Sequence, residues 1–546
     1  MIHSYKRMMN RLKIETTISA CLLAMMFFSC TTSDKVPSKD FVDYVNPYIG
    51  NISHLLVPTY PTVHLPNSML RVYPERGDFT SDRINGLPVV VTSHRGSSAF
   101  NLSPVQGDVS RPVVSYSYDL EKITPYSYSV YLDEDDIQVD YAPSHQAGIY
   151  HISFHTEGDN ALVINTRNGM LVTEENGVSG YQIIDNTPTK IYLYLETSQS
   201  PVKKGVLTEG KVDTERQEGK TIALFYGTES KLDVRYGISF ISDEQAKKNL
   251  QRDITTYDVK AVADAGRKIW NETLGKITVE GGSEDEKEIF YTSLYRTYER
   301  MINISEDGKY YSAFDGKIHE DGGTPFYTDD WIWDTYRATH PLRILIEPQK
   351  ELEMIRSYIR MAEQSDRGWM PTFPEVTGDS HRMNGNHAVA VIWDAYCKGL
   401  DDFDLEAAYE ACKGAITEKT LLPWLRLPVT ELDKFYQEKG YFPALGVDEK
   451  ETCAAVHSFE KRQAISVMLG NCYDSWCLAQ IAKVLNKPED YKRFMKMSYT
   501  YRNVYNAETG FFHPKNKDGQ FIEPFDYRYS GGQGAREYYG ENNGWV

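Results

Sequence analysis

Four short stretches of the chain concentrate side chains able to do chemistry. The first is Trp331-Ile332-Trp333-Asp334-Thr335-Tyr336-Arg337. Two tryptophans, an acid and a guanidinium make a poor solvated loop unless they line something. Asp334 can accept hydrogen bonds from two hydroxyls of a sugar while Arg337 orients its carboxylate. A buried Asp334–Arg337 pair with Asp334 capping a helix explains the same residues, and both readings stay open. The second stretch runs from Gly368-Trp369-Met370-Pro371 through Asp379 and His381 to Met383-Asn384-Gly385-Asn386-His387. His387 opens a helix and reads as a structural residue, because no H-E-x-x-H or comparable metal spacing accompanies it. In the third, Cys472-Tyr473-Asp474-Ser475-Trp476-Cys477, helical geometry turns Asp474 and Trp476 in different directions, one toward a cavity and one toward a core. The fourth is Tyr538-Tyr539-Gly540-Glu541-Asn542-Asn543-Gly544-Trp545. A Glu set among aromatics and glycines can be desolvated, which raises its pKa and keeps it protonated, as a general acid requires.

These stretches need a scaffold, and the hydrophobic pattern supplies one in two parts. From about Phe41 to Phe240 apolar residues alternate, as in Tyr126, Tyr128, Val130 and Leu132 or Val234, Tyr236, Ile238 and Phe240. Turn clusters such as Asp133-Glu134-Asp135-Asp136 and Asn176-Gly177 separate the runs. The pattern predicts a large antiparallel β-sandwich over 41–244. A helical linker follows over 245–282, with Val259–Leu274 as a helix. Ser283-Glu284-Asp285-Glu286 is a capping box opening a helix through Phe290, Leu294, Thr297 and Met301. Further helices are predicted at Gln349–Gln364, His387–Lys398, Leu405–Ile416, Asn471–Leu485 and Glu489–Tyr505. Their long, aromatic, acid-bearing connections suggest a helical toroid over 283–546 whose loops gather at one mouth. The fold class is therefore multidomain, β followed by α.

Composition narrows the partners. A net charge of −18 excludes a basic nucleic-acid surface. Aromatics are 12% of the chain with 39 tyrosines, enough to stack on sugar rings as well as to fill cores. Residues 1–30 read as a leader: Lys6, Arg7, Arg11 and Lys13 precede the apolar run Ile18–Phe28, too short for the ~20 residues that span a bilayer. Phe27-Phe28-Ser29-Cys30 resembles a bacterial lipobox, with Cys30 acylated and anchoring an exported protein in the periplasm or outer membrane. The odd number of remaining cysteines and the absence of C-x-x-C argue against a disulfide framework or zinc knuckle. Cys472 and Cys477 read as buried small hydrophobes.

Taken in order, the motifs resemble glycoside hydrolase family 92, the calcium-dependent, inverting, exo-acting α-mannosidases. The similarity runs from Asp43-Tyr44-Val45-Asn46-Pro47-Tyr48-Ile49-Gly50 through Trp333-Asp334-Thr335-Tyr336-Arg337 and His340-Pro341-Leu342. It continues in Tyr473-Asp474-Ser475-Trp476-Cys477-Leu478-Ala479 and Tyr501-Arg502-Asn503-Val504-Tyr505. Tyr539, Glu541, Asn543 and Trp545 match the family's acid motif. The resemblance implies an N-terminal β-sandwich, an (α/α)6 barrel, Glu541 as general acid, and mannose-containing glycans, α-1,2-linked or related, as substrate. It implies Trp333, Asp334, Arg337, Asp474, Trp476, Asn543 and Trp545 as substrate-binding residues. It also implies calcium on sugar hydroxyls, a role suited to a hard, oxygen-seeking ion, with ligands not assigned. Departures are Asn51-Ile52-Ser53-His54-Leu55-Leu56, Pro66-Asn67-Ser68-Met69 and Gly470. Residues 283–546 are too few for a complete barrel, so a chain ending before the family's catalytic base is expected. Two alternatives remain: a non-catalytic glycan-binding lipoprotein and a disaccharide phosphorylase on the same architecture.

Overall fold

The computed structural model describes residues 39–52, 58–77, 80–92, 98–383, 385–446, 448–525 and 537–538. The leader with Cys30, and Glu541, Asn543 and Trp545, lie outside them.

The alternating stretches form two antiparallel sheets. The larger has ten strands. The meander Ser115–Thr124, Ser127–Leu132, Ile137–Pro143, Ala147–Phe154 joins Gly177–Ile183 and Lys190–Thr197 through Lys231–Ser239. The smaller has six, with Asn160–Thr166 between Thr221–Gly227 and Phe100–Gln106. In Ser127–Leu132 the side-chain period of two is visible: Tyr128, Val130 and Leu132 are buried, and the residues between them are half-buried. Val130, Val139, Ile152 and Leu193 of the larger sheet share one apolar core with Leu102, Leu162, Ile164 and Leu224 of the smaller. Tyrosines tie the sheets together. Tyr116, Tyr150 and Tyr236 of the larger sheet donate to the carbonyls of Pro104, Pro88 and Val89 at 2.6, 2.5 and 2.7 Å. Their rings are buried, and an unbonded hydroxyl there would cost about 1–3 kcal/mol.

Two helices back the larger sheet. α1 (Asp243–Asp253) is capped by Ser242 and α2 (Val259–Leu274) by Asp258. α1 lies so close that a Cβ on Gly237 would meet the Ala246 carbonyl oxygen at 2.2 Å. α3 (Glu284–Arg296) opens on the predicted Ser283/Glu286 capping box but stops before Thr297 and Met301. Then come α4 (Ile332–Thr335), α5 (Thr339–Ile346), α6 (Pro348–Gln364), α7 (Ala388–Cys397) and α8 (Leu405–Thr417). α9 (Glu431–Lys439), α10 (Ala464–Val484) and α11 (Pro488–Ser498) follow. α10 packs on α7, α8 and α11. It starts seven residues before the expected Asn471, because Ala464–Met468 is buried on every face and carries no helical period. α11 ends at Ser498, and a 3₁₀ turn takes Thr500–Val504. Among the described residues no helix is long and apolar enough to cross a membrane.

Buried polar groups key the β domain to the helices. Asp329 accepts from Arg71 of the β domain at 2.5 Å and from Arg300. Asn67, in one of the segments that depart from the family resemblance, has φ 54°. Its amide donates to the carbonyls of Arg300 and Met301 at 3.3 and 2.8 Å, and its oxygen accepts from Lys350 at 3.1 Å. Removing one member of such a cluster strands the others in low dielectric. Asp329→Asn is therefore expected to lose about 3–5 kcal/mol in urea unfolding. Asp264→Asn, which breaks the exposed Lys260–Asp264 pair, should leave the unfolding midpoint essentially unchanged. Equal losses would contradict the keying role.

Candidate active site

The Trp-Asp-Thr-Tyr-Arg stretch sits immediately after the keyed Asp329. Asp330, also buried, turns the other way. One of its oxygens accepts from Thr335 Oγ1 at 2.9 Å; the other accepts from His340 Nε2 at 3.0 Å and from the Tyr358 hydroxyl. The second ring nitrogen of His340 donates to Glu351 Oε1 at 2.8 Å. Both nitrogens thus face carboxylate oxygens, and the ring is an imidazolium. Burial opposes that charge, but Glu351 and Asp330 outweigh it and raise the His340 pKa to about 9. Burial likewise opposes charge on Asp330, and His340 more than offsets it, holding that carboxyl below its usual range. This network fixes α4 at both ends, through Asp330 before it and Thr335 as its last residue.

On that mount Ile332 and Trp333 point inward, 1% and 3% exposed, while Asp334 and Arg337 are exposed. The Arg337 guanidinium lies 5.1 Å from the Trp333 ring and 5.5 Å from the Tyr336 ring. Asp334 is inside α4 and exposed, and the helix begins after Trp331, so the buried-cap reading of Asp334 is corrected. Trp333, expected from the resemblance at the substrate, is 3% exposed and lies beneath the surface its neighbours form.

The second and third motifs meet the first. Tyr336 stacks on His387 at 4.2 Å between ring centroids, and His387 Nδ1 bonds Asp474 at 2.7 Å. The other Asp474 oxygen accepts the Asn386 amide at 2.7 Å. Asp474 is completely buried with both oxygens engaged. Those two contacts orient His387 and the Asn386 backbone. His387 is the structural residue the spacing suggested. Trp476 and Tyr473 on α10 are 41% and 46% exposed. Cys472 and Cys477 are buried there. Asp379 organises the second motif, accepting the amides of Thr372, Phe373 and His381 at 2.8, 2.9 and 3.1 Å.

One carboxyl went unnoticed in the sequence. Glu375 lies on the strand beside the site: the Asp330 amide donates to the Pro374 carbonyl at 2.9 Å, and Trp331 stacks on Phe373 at 5.9 Å. Burial raises the Glu375 pKa to about 7, against the pull of Arg382 and with a further push from Asp329. A carboxyl near neutrality can hold or release a proton at working pH. Only its flanking prolines and aromatics, Phe373-Pro374-Glu375, could have signalled burial.

Two family models match the chain in succession. The glycosyl hydrolase family 92 N-terminal domain matches residues 44–239, and the family 92 catalytic domain matches residues 245–546. The chain belongs to glycosyl hydrolase family 92. Among solved structures, an inverting mannosidase of family 92 from Bacteroides thetaiotaomicron VPI-5482 is 27% identical. It has a TM-score of 0.78, with 90% of this chain and 68% of that chain covered. A family 92 α-mannosidase from Bacteroides thetaiotaomicron in complex with mannoimidazole is 22% identical, with a TM-score of 0.79 over 92% of this chain and 69% of that one. An uncharacterized secreted glycosidase of Arthroderma benhamiae is 24% identical over 319 residues, 56% of this chain and 34% of the relative. The chain thus spans about a third of that relative's length.

The order of a β domain before a helical one is that of the family 92 mannosidase structures. Calcium was expected from the family. Among the described residues no group of three or more His, Cys, Asp or Glu gathers that could hold a metal.

The His340 pin of this family 92 chain has a stated pH sign. Its pKa is raised by folding, so the stabilisation is complete below about 6.5 and is lost as pH rises through about 9. His340→Gln should cost about 3–5 kcal/mol at pH 6 and distinctly less at pH 9.5, read by urea unfolding. A difference that is the same at both pH values would contradict an imidazolium.

Proposed function

We propose that the protein is an exo-acting α-mannosidase that removes terminal mannose from glycans, α-1,2-linked or related, with inversion. The observation that carries this reading is the Asp334 carboxylate. It is exposed beside Arg337 and mounted on buried ion pairs, in a chain whose two family 92 matches follow one another. The structural relative described as an inverting mannosidase supports the same chemistry. In this reading Asp334 accepts hydrogen bonds from hydroxyls of the terminal sugar and Arg337 crowds the same face. Glu541 protonates the departing oxygen, while a carboxylate base activates water on the opposite face of the ring. Tyr538, three residues before Glu541, donates its hydroxyl to the Leu445 carbonyl at 2.9 Å, and its own carbonyl accepts the Ile465 amide at 2.8 Å. The segment leading to the proposed acid is thereby tied to the N-terminal end of α10. Calcium belongs to the proposal as the family's cofactor. Export with a lipid anchor at Cys30 belongs to it through the leader, and the fungal relative is described as secreted.

Incubation with α-mannobiose is expected to release mannose, first as the β-anomer by proton NMR. EDTA should stop the reaction and calcium restore it. Glu541→Gln should lower kcat about 10²–10⁴-fold. An active Glu541→Gln variant would remove Glu541 from the role of acid. Strictly phosphate-dependent release of a sugar 1-phosphate would replace hydrolysis with phosphorolysis.

A further inference from the structure

Beyond the Asp334 mount a second surface continues from the same strand. Arg382 Nε stands 3.5 Å from Glu375 Oε1, and that oxygen, on a residue 6% exposed, has no hydrogen-bond partner among the described residues. The Arg382 guanidinium reaches on to the ring of Trp424, 5.7 Å from its centroid. Trp424 is 40% exposed, and its ring lies 5.8 Å from that of His457 at 31°. The amides of Phe459 and Glu460 donate to His457 Nδ1 at 3.3 and 3.1 Å, so Nε2 carries the proton and is the ring's donor. Trp331 stacks on Phe373, two residues before Glu375, and from Glu375 the contacts run through Arg382 and Trp424 to His457.

The backbone of Trp424 is held out of the ordinary. Its φ is 64°, a left-handed conformation that bulky L residues rarely adopt. The Trp424 amide is fastened to the His381 carbonyl at 2.9 Å, and His381 itself has φ 50°. Met383, Lys461 and Gln463, on the two segments that flank Trp424, also have positive φ. Strain of this kind persists where the surrounding structure fixes it, and it gathers at ligand-binding loops. A packing role would not require it, since the ring it presents is left substantially exposed.

A 40% exposed indole flanked by a guanidinium and an imidazole N–H is a surface for a pyranose. The ring's axial C–H groups lie on the indole, and its hydroxyls bond the polar rim. We propose that Trp424, Arg382 and His457 form a subsite for the leaving-group part of a glycan, with Glu375 fixing Arg382. The leaving-group assignment rests on the mannosidase reading above; the sugar-binding assignment does not. Trp424 then selects for a saccharide rather than a small group on the departing side of the bond.

The test compares kcat/KM for α-mannobiose with that for α-mannosyl fluoride, whose leaving group cannot stack. Trp424→Asn suits the left-handed backbone while deleting the ring. It is expected to lower the disaccharide-to-fluoride ratio about tenfold. Trp424→Phe, which keeps a ring, should hold the ratio within about threefold. An unchanged ratio in the Asn variant, or a Phe variant as impaired as the Asn one, overturns the subsite. If the wild type hydrolyses neither compound, the mannosidase reading fails and calorimetry with an S-linked mannobioside decides the subsite alone. Binding by wild type that weakens at least about tenfold in Trp424→Asn supports it. Equal affinities, or no binding by the folded wild type, overturn it.

Discussion

The site depends on one buried charge. The His340 imidazolium lies between Asp330 and Glu351, and all three are essentially inaccessible to water. Desolvation alone would empty such a position of charge. The attraction of two carboxylates in a low-dielectric surround reverses that outcome only because the geometry is close and each ring nitrogen has its own acceptor. The Tyr358 and Thr335 hydroxyls engage the remaining capacity of Asp330. A four-residue helix such as α4 cannot hold its own shape; too few backbone hydrogen bonds offset its nucleation. The ion network supplies the rigidity instead, and Asp334 inherits it.

The neighbouring acid doubles the constraint. Asp329 and Asp330 are consecutive and both buried, yet Asp329 pairs with Arg71 of the β domain and Asp330 with the helical core. Two adjacent residues therefore lock the same backbone to both domains. A third attachment comes through Tyr336, His387 and Asp474, which joins the loop to α10. Three stretches that are well separated in sequence meet around one loop. Such a mount suits a group that must keep its position.

Much of the fold was legible because its signals are local. Alternation exposed the strands, and the Ser283-Glu286 capping box marked α3. What failed was also local in cause. Ala464–Met468 is buried on every face, Ser466 included, so no periodicity announced that α10 begins there. α4 is too short for a period, and the hairpin Lys309–Ser312 with Lys317–Glu320 falls in a stretch without strong alternation. The site was legible as composition but not as direction. Trp333 and Asp474 face inward, because burial of a Trp or of an Asp–His pair is decided by tertiary packing. Glu375 carried no motif at all; its near-neutral pKa arises from burial and from Asp329, which only the folded chain brings beside it.

The central claim is that a charged His340 holds the loop. Nitrogen NMR of the protein labelled with ¹⁵N-histidine tests it directly, with His340→Gln identifying the resonance. The account predicts both ring nitrogens of His340 protonated at pH 7.5, with the second proton lost only near pH 9. A neutral, singly protonated His340 ring at pH 7.5 would contradict it.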